Sequence, residues 1–371
     1  MKNSNLHAAK KAKNDEFYTQ LTDIEKELKH YKDQFKDKVV YCNCDNPQKS
    51  EFVRFFRLKF CDWGLKKLIA TCITEDNSNG WGYVWDKDIN GNGIMDEEEV
   101  TMIPLQQNGD FRSPECIEFL KEADIVVTNP PFSLYRSYIK QLIDYDKKFL
   151  HIGNSNAITY KEVFPYIKYG KLRTGKNWVK EFRMPDGTLK KFGNICWFTN
   201  LETHKADDPM ELVEKFDPVN KHLHYDNYDA YNVDKVADIP YDTDEVLGVP
   251  ITIVDRIADD GYIHFTHNEE EMKFEIVAFR KGEDGKDLVF TREREREFNH
   301  TFVSLYDVDC GDDKKRRRES EWENYIRENN NKEDIKPIDY FFPNATNRST
   351  GSMNGMLKGK ETYRRILIQK I

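Results

Sequence analysis

Residues 124–132 of this 371-residue chain read DIVVTNPPF, and this segment restricts the fold more than any other part of the sequence. The β-branched run from Ile125 to Thr128 is typical of a strand buried on both faces, as in a parallel sheet. The strand has to end at Asn129, because Pro130 and Pro131 have no N–H to offer a neighbouring strand. The segment therefore predicts a buried strand with a carboxamide, a carbonyl on a stiffened backbone and an aromatic ring at its carboxyl end.

This strand end suits the binding of a planar group that carries an amine, such as a nucleobase. The exocyclic amine of adenine is a poor nucleophile, because its lone pair is delocalised into the ring. Two acceptors, the Asn129 side-chain oxygen and the Pro130 carbonyl, would draw that nitrogen toward a more reactive tetrahedral geometry, and Pro131 restricts where the carbonyl points. Phe132 can stack on a base taken out of its helix, a contact worth about 1–3 kcal/mol. The alternative is an ordinary Pro-Pro turn that precedes a core phenylalanine.

The bulk composition excludes several classes of protein. The net charge is −9 and a third of the residues are charged, which argues against a protein held to nucleic acid by an overall positive field, although local basic patches remain open. No apolar run approaches the ~18 residues that span a bilayer. The seven cysteines form no Cys-x-x-Cys pair, so reduced thiols are expected. We expect a cytoplasmic monomer without a membrane segment.

Strands and helices alternate over the first 170 residues. Helices are predicted over residues 23–35, 48–63, 113–122, 134–145 and 160–169, and strands over 38–44, 68–74, 124–128 and 149–153. This order predicts an α/β fold with a mostly parallel, doubly wound sheet, whose ligands gather at the carboxyl ends of the strands. Beyond residue 200, short strands, turns and acidic loops dominate, and residues 307–333 read as a solvated charged segment.

Several sequence blocks resemble the adenine-specific DNA methyltransferases related to the EcoRI modification methylase. Besides NPPF at 129–132, they are NDEFYT at 14–19, VYCNCDNP at 40–47, GDFRS at 109–113, IGNSNA at 152–157, WFTNL at 197–201, YDNYD at 225–229, GVPIT at 248–252 and YRRILI at 363–368. The resemblance covers most of the chain. It implies a Rossmann-like class I methyltransferase sheet with helices on both faces, followed by an α+β region that recognises the DNA target.

The resemblance also implies a domain plan. Residues 14–200 would form the catalytic domain that binds S-adenosylmethionine, with an insertion at 80–105, and residues 1–13 would be a disordered tail. Residues 201–371 would recognise double-stranded DNA. The closing strand, residues 363–369, is a candidate to return to the core of the catalytic domain.

Individual residue roles carry over from the same blocks. Residues 17–19 resemble the block that lies over S-adenosylmethionine, and residues 43–47 lie where such enzymes approach its methionine portion. Glu75 takes the place of the acidic residue that binds the ribose hydroxyls, and Asp110 that of the residue at the cofactor's adenine. The implied cofactor-binding residues are Phe17, Tyr18, Thr19, Asn43, Asp45, Pro47, Glu75, Asp110 and Asn129. The implied catalytic residues are Asn129, Pro130, Pro131 and Phe132.

One turn departs from the pattern of most methyltransferases of this fold. They place glycines after the first strand, so that the backbone can approach the cofactor closely. Here residues 45–50 read DNPQKS and contain no glycine. The alternative for this turn is that it only caps the next helix, and for Asp110 and Glu75 that they are surface or helix-capping carboxylates.

Residues 88–99 match the pattern of a calcium-binding loop. Its oxygen ligands would be Asp88, Asn90, Asn92, Asp96 and Glu99, with Gly93 at the sharp turn. However, residues 82–85 before the loop and 100–105 after it look extended, whereas helices flank such loops in calcium-binding proteins. The alternative is an acidic turn that joins two strands, and a calcium ion here would be structural.

The combined prediction is an S-adenosylmethionine-dependent enzyme that methylates adenine N6 at specific DNA sites, in restriction–modification or in DNA protection of a phage or host. Two alternatives stay open. One is the same chemistry on cytosine N4, an RNA base or a protein glutamine. The other is a DNA-binding module without activity, which the glycine-free turn makes conceivable.

Overall fold

In a computed structural model, the chain is described over residues 18–74, 76–160, 163–183, 188–204, 207–226, 229–281, 287–290, 340–341, 356–358, 360–361 and 365–371. It divides into two compact units. The first comprises Met1–Ala157 with Leu172–Thr203, and the second Ile158–Lys171 with His204–Ile371. The predicted tail, residues 1–13, and the charged segment, residues 307–333, lie outside the described residues.

A nine-stranded sheet forms the centre of the first unit. Its strands are β1 (Tyr18–Thr19), β2 (Val39–Cys42), β3 (Lys67–Ala70), β4 (Trp81–Trp85), β5 (Thr101–Pro104), β6 (Ile125–Thr128), β7 (Lys148–Asn154), β8 (Arg173–Arg183) and β9 (Leu189–Thr199). They lie in the order β1-β8-β9-β7-β6-β2-β3-β4-β5. The four central strands β7, β6, β2 and β3 are parallel, and every other pair is antiparallel. This arrangement confirms the predicted α/β fold with a doubly wound centre, but the sheet is not mostly parallel as predicted, because five of its eight strand pairs are antiparallel.

In the described part of the first unit, four α-helices accompany this sheet: α1 (Leu21–Leu28), α2 (Glu51–Trp63), α3 (Pro114–Glu122) and α4 (Tyr135–Asp144). Because successive residues of a strand point to opposite faces, β2 packs on both sides. Val40 and Cys42 belong to the same core cluster as Phe52 and Phe56 of α2, whereas Tyr41 lies against Phe119 of α3. Helices therefore cover both faces, as predicted.

The first predicted helix, residues 23–35, changes type part-way. It is α-helical only to Leu28 and continues as a 3-10 helix over Lys29–Phe35. The predicted apolar residues Ile24, Leu28, Tyr31 and Phe35 are nevertheless all buried. The sequence pattern therefore identified the buried face correctly but not the change of helix type.

The insertion at residues 80–105 forms an edge of the sheet. β4 pairs antiparallel with β3, and β5 pairs antiparallel with β4. Residues 88–99 therefore join two strands, which is the alternative to a calcium loop flanked by helices; only a 3-10 turn, Glu97–Glu99, lies between them. Among the described residues no helix is long and apolar enough to cross a membrane.

The second unit has a separate six-stranded sheet. Its strands are β10 (Met210–Glu211), β11 (Tyr231–Asn232), β12 (Leu247–Pro250), β13 (Ile263–His267), β14 (Glu270–Ile276) and the last strand of the chain, Arg365–Lys370, in the order β10-β13-β14-last-β12-β11. This unit also contains a short helix, Phe164–Lys168, where residues 160–169 were predicted to be helical. Two small sheets are formed by Ala278–Lys281, Asp287–Phe290 and Tyr340–Phe341, and by Met356–Leu357 and Lys360–Glu361.

The final strand corrects one prediction. It was a candidate to return to the core of the catalytic domain, but it pairs antiparallel with β12 and β14 in the sheet of the second unit. Leu367 belongs there to a core cluster with Tyr225 and Val246. An apolar strand can pair with any sheet that still has unpaired backbone groups at an edge, so its local sequence does not specify its neighbours.

Candidate active site

The ends of β2 and β6 lie side by side at the switch point of the sheet. The chain leaves β2 toward β3 on one side and leaves β6 toward β7 on the other, so a crevice forms at the carboxyl ends of the two strands. Asn43 and Asp45 follow β2, and Asn129 follows β6. The sequence-predicted catalytic residue and two predicted cofactor residues therefore lie at this one edge.

The Asp45 carboxylate joins the two strand ends. It accepts hydrogen bonds from the Ser50 hydroxyl (2.6 Å), from the Thr128 hydroxyl and from the backbone N–H of Asn129. The backbone N–H of Asp45 also donates to the Thr71 carbonyl oxygen at 3.1 Å, which links the turn to β3. Asp45 thus holds Asn129 through the backbone at the point where β6 ends.

Burial governs the ionisation of Asp45. The residue is only 6% exposed, and burial raises the pKa of its carboxyl to about 6, against the hydrogen bonds from Ser50, Thr128 and Asn129, which lower it. These donors favour the charged form, so the carboxylate is largely ionised at neutral pH. With its oxygens engaged inside the protein, Asp45 has little surface left for a ligand.

The strand before the Asn-Pro-Pro-Phe segment ends where the sequence predicted. β6 ends at Thr128, all peptide bonds of the described residues are trans, and a 3-10 turn, Phe132–Leu134, leads into α4. Pro130 is buried, whereas Asn129, Pro131 and Phe132 are half-buried. Phe132 packs against the main core cluster, so one part of the ring is fixed while another part stays accessible.

A chain of hydroxyl groups lies behind Asn43. Asn43 is buried, and its side-chain oxygen accepts a hydrogen bond from the Tyr138 hydroxyl of α4 at 2.8 Å. The Tyr41 and Thr71 hydroxyls are 2.7 Å apart, and the Thr71 hydroxyl lies 3.5 Å from the Asn43 carbonyl oxygen. These contacts hold Asn43 rigidly at the end of β2.

The loop that carries Asp110 approaches the end of β3 closely. Gly109 has a φ of 81°, and a β-carbon there would overlap the backbone carbonyl oxygen of Cys72. Asp110 forms a 2.6 Å ion pair with Arg112, whose hydrogen bonds lower the pKa of the Asp110 carboxyl. The glycine thus supplies the close backbone approach that the turn after β2 lacks.

The other predicted cofactor residues have separate outcomes. Thr19 is buried in β1, which pairs with β8, and Tyr18 is its strand neighbour. Pro47 is half-buried in a turn where the Asn46 side-chain oxygen accepts from the Gln48 N–H at 2.9 Å. Phe17 and Glu75 lie outside the described residues.

Sequence reasoning missed the hydroxyl groups that organise the site, namely Ser50, Thr71, Thr128 and Tyr138. One signal was present for Thr128, because it is the only polar residue in the buried strand β6. A polar side chain buried in a strand requires a hydrogen-bond partner. Nothing in the local sequence indicated that this partner would be Asp45, 83 residues away.

The predicted calcium ligands form a closed turn. Asp88 accepts from the N–H groups of Gly91 (2.7 Å) and Gly93 (2.8 Å), and Asp96 accepts from the Asn90 and Asn92 side-chain amides, both at 2.8 Å. Glu99 accepts from the Ile89, Asn90 and Asp96 N–H groups. In the described part of the chain no group of three or more His, Cys, Asp or Glu is arranged to hold a metal. The calcium prediction therefore has no support, and the residues serve the β4–β5 turn.

Comparison with known proteins identifies the family. The chain matches the family model described as adenine-specific methyltransferase EcoRI over residues 5–371. It belongs to this family. It is 44% identical over 314 residues to the Type II methyltransferase M.EcoRI of Escherichia coli, a match that covers 77% of this chain and 92% of that protein.

Two further relatives are 37% identical. The Type II methyltransferase M.MpnI of Mycoplasma pneumoniae aligns over 274 residues and M.MgeORF184P of Mycoplasma genitalium over 270, in both cases 67% of this chain and 81% of the relative. No solved structure matches the chain. As an EcoRI-type adenine-specific DNA methyltransferase, the protein is an enzyme with a class I methyltransferase sheet. Family membership thus decides for adenine among the amine substrates, and against a module without activity.

Methyltransferases of this family use S-adenosylmethionine, and the first unit offers groups that fit it. The buried Thr19 hydroxyl has no hydrogen-bond partner among the described residues. The half-buried Asp110 carboxylate and the close backbone approach at Gly109 lie beside the end of β3. Acceptors of this kind suit the ribose hydroxyls and amines of a nucleoside, so the donor and acceptor set is compatible with the cofactor.

Proposed function

We propose that the enzyme methylates the N6 amine of an adenine that is rotated out of double-stranded DNA into the crevice at Asn129. The proposal is carried by one observation, the Asn-Pro-Pro-Phe segment at the switch point of the sheet, where Asp45 anchors its first residue. S-adenosylmethionine supplies an electrophilic methyl group on a sulfonium. The sequence-specific reaction would serve restriction–modification or DNA protection.

Each residue of the segment has a defined task in this proposal. The Asn129 side-chain oxygen and the Pro130 carbonyl oxygen accept hydrogen bonds from the two N–H groups of N6 and so increase the nucleophilicity of the nitrogen. Pro131 restricts the backbone before it and keeps that carbonyl in place. Phe132 stacks on the adenine ring. The nitrogen gains the methyl group and releases one proton to water, so no strong general base is needed.

Asp45 receives a positioning role in place of the predicted cofactor contact. Its carboxylate accepts from the Asn129 N–H and the Thr128 hydroxyl, so it determines where the Asn129 side chain begins. Thr19, Asn43, Pro47 and Asp110 remain the proposed cofactor contacts, together with Phe17, Tyr18, Glu75 and Asn129. The second unit is proposed to read the DNA sequence, and the expectations of a cytoplasmic monomer stay predictions.

The variant Asn129→Ala tests the mechanism. Loss of one acceptor for the amine should lower the methylation rate by at least ~100-fold, a typical cost for one preorganised electrostatic contact, while DNA binding is retained. Methylation-sensitive sequencing of DNA from cells that express each protein identifies both the modified base and the site. Asn92→Ala, which changes an exposed carboxamide in the β4–β5 turn, is the matched control. Undiminished adenine methylation by Asn129→Ala would refute the mechanism.

A further inference from the structure

The hairpin formed by β8 and β9 extends beyond the sheet. β7 ends at Asn154, which pairs with Ile195 of β9. Residues 189–194 of β9 therefore continue past β7, and on that stretch β9 pairs with β8. We call residues 179–183 and 189–195 the arm. Its outer strand, β8, is flanked by β1, where Thr19 pairs with Phe182.

The arm leaves the sheet at the same edge as the candidate active site. β9 is antiparallel to both β7 and β8, so β8 runs parallel to β7 and β6. The carboxyl end of β8 and the carboxyl end of β6 are consequently on one edge. Since the arm begins where β8 passes the end of β7, it projects on the side on which Asn129 lies.

Strand geometry gives the reach of the arm. Thr128 pairs with His151, so Asn129 is level with Ile152, which pairs with Trp197. At about 3.3 Å per residue, Lys191 lies roughly 13–20 Å beyond that level, depending on which strand is followed through the bulge between Val179 and Glu181. Two strand spacings separate β9 from β6, roughly 10 Å. A duplex whose adenine has been rotated into the crevice lies beyond this edge, within reach of the arm.

The arm is held in place by its packing. Val179 and Phe182 are each 1% exposed and belong to the main core cluster. The Phe182 and Phe192 rings meet edge to face with their centres 5.4 Å apart. The arm is thus anchored on one side to the core, which reduces the entropy lost when it contacts a partner.

Three exposed side chains of the arm are lysines, and Leu189 is exposed beside them. Lys180, Lys190 and Lys191 are exposed, and residues 179–183 and 189–195 contain four basic residues and one acidic residue, Glu181. Lys191 forms a 3.4 Å ion pair with Glu181, but its side chain is 85% exposed. Exposed ion pairs contribute little, so Lys191 can exchange Glu181 for a phosphate at small cost. The residues of the arm together carry a net charge of +3, whereas the whole chain carries −9.

We propose that the arm binds the phosphate backbone of the DNA duplex beside the extruded adenine. Duplex DNA carries one negative charge per ~1.7 Å, and lysines that neutralise phosphates supply affinity without reading sequence. The arm belongs to the first unit, so DNA contact would not be confined to the second unit. The proposal rests on the proposed function, because it takes duplex DNA as the substrate.

A double variant of the full-length enzyme, Lys190→Gln with Lys191→Gln, tests this proposal. The dissociation constant of the enzyme–DNA complex is measured over a range of salt concentrations. One duplex contains the target site identified by methylation-sensitive sequencing, and the other has a random sequence. If both lysines contact phosphates, the slope of log K against log salt should fall by about 1.8, equally for both duplexes. Tighter discrimination between the two duplexes is not expected.

Lys66→Gln with Lys121→Gln is the matched control. Lys66 directly precedes β3 and Lys121 lies near the end of α3 before β6, so both are at the opposite edge of the sheet. Both are exposed, and Lys121 is ion-paired with Glu118 as Lys191 is with Glu181. This variant has the same change in net charge and should keep the wild-type slope.

The outcomes separate the two proposals. An unchanged slope in the arm variant, or an equal decrease in the control, overturns the arm contact even if adenine methylation is intact. Absence of methylation and of DNA binding in the wild type instead contradicts the proposed function. If the arm variant and the wild type have equal melting temperatures, a lower slope does not come from unfolding. The single variant Lys180→Gln provides a second readout, because its slope of log K against log salt should decrease by about 0.9.

Discussion

The Asp45 carboxylate is buried, charged at neutral pH and engaged on both oxygens. Its three partners belong to two segments of the chain: Ser50 in the turn before α2, and Thr128 with the backbone N–H of Asn129 at the end of β6. A buried carboxylate needs such donors, because an unpaired one costs several kcal/mol. The same contacts that compensate its burial also fix the backbone at Asn129, the proposed catalytic residue.

The ionisation of Asp45 predicts a pH-dependent stability. The folded state raises the pKa of this carboxyl from 3.8 to about 6, so the folded protein takes up a proton before the unfolded chain does as pH falls. This contribution is complete below about pH 3.8 and is lost as the pH rises through about 6. Relative to Asp45→Asn, the wild type should therefore gain on the order of 2–3 kcal/mol from neutral pH to about pH 4. Urea unfolding at a series of pH values measures this difference.

The titratable groups around Asp45 do not change their charge between about pH 4 and neutral pH. Cys42, Cys44 and Tyr138 interact with it, and burial raises the pKa of each of them well above the usual value, so they stay neutral. The Asp110 carboxyl, which interacts with Cys44, has a lowered pKa and stays charged. A difference in unfolding free energy that is constant with pH would show that Asp45 does not titrate in this range.

Activity of the same variant distinguishes positioning from cofactor contact. Asp45→Asn places an amide donor against a neighbouring donor and displaces Asn129, so the single-turnover rate should fall ~100-fold with little change in S-adenosylmethionine affinity. Thr128→Val should have a smaller effect of the same kind, and Thr128→Ser, which keeps the hydroxyl, none. About tenfold weaker cofactor binding at an unchanged rate would instead make Asp45 a cofactor ligand.

At the scale of elements, the central strands and helices follow the sequence closely, whereas loops define the crevice. β6 and α3 begin within one residue of their predicted starts, because a β-branched run and a serine cap followed by proline are strong local signals. The loop before α3 is different. Gly109 there brings the backbone against Cys72 of the β3 end, a contact between segments that local propensity does not encode.

A pair of glycine variants tests that loop. Gly109→Ala adds a β-carbon at positive φ against a backbone carbonyl, whereas Gly93→Ala has a similar φ of 88° and open space around the position. Gly93→Ala should cost about 1–2 kcal/mol of unfolding free energy from backbone strain alone. Gly109→Ala should cost more and should also weaken S-adenosylmethionine binding, because Asp110 is displaced. Equal losses of stability with unchanged cofactor affinity would contradict a role for this approach in the site.

At the scale of the whole molecule, the proposed cofactor contacts within the described chain all belong to the first unit, while the second unit has its own core around Tyr225 and Leu367. The net charge of −9 means that DNA affinity must come from local basic surfaces rather than from an overall field. Cofactor binding is therefore expected to involve the first unit alone, whereas DNA is expected to contact both units.

Cofactor binding should raise the thermal stability of the intact enzyme. At a concentration of about 100 times its dissociation constant, S-adenosylmethionine should stabilise the native first unit by about 2.7 kcal/mol, provided that it does not bind the unfolded chain. Differential scanning calorimetry with and without the cofactor measures this as an upward shift of the transition that includes the first unit. A transition that does not move at saturating cofactor would contradict the proposed cofactor site.

The sequence alone determined the local features of this protein. Residues 124–132 specified a buried strand and its end at Asn129, because β-branching and proline act through neighbouring atoms. Alternation of strands and helices indicated the doubly wound sheet, because periodicity is also local. The long β8–β9 hairpin was not predicted, since its lysines and bulges obscure the alternation of a strand.

The tertiary structure decided the contacts between distant segments. In the folded chain the Thr128 hydroxyl and the Asn129 N–H donate to the Asp45 carboxylate, and Gly109 lies against the backbone of Cys72. The final strand pairs within the sheet of the second unit. Each of these contacts joins residues dozens of positions apart, and its partner is selected by the register and packing of the whole sheet. The proposed catalytic segment is therefore suggested by its own residues, whereas the carboxylate that holds its first residue in place could be identified only in the folded chain.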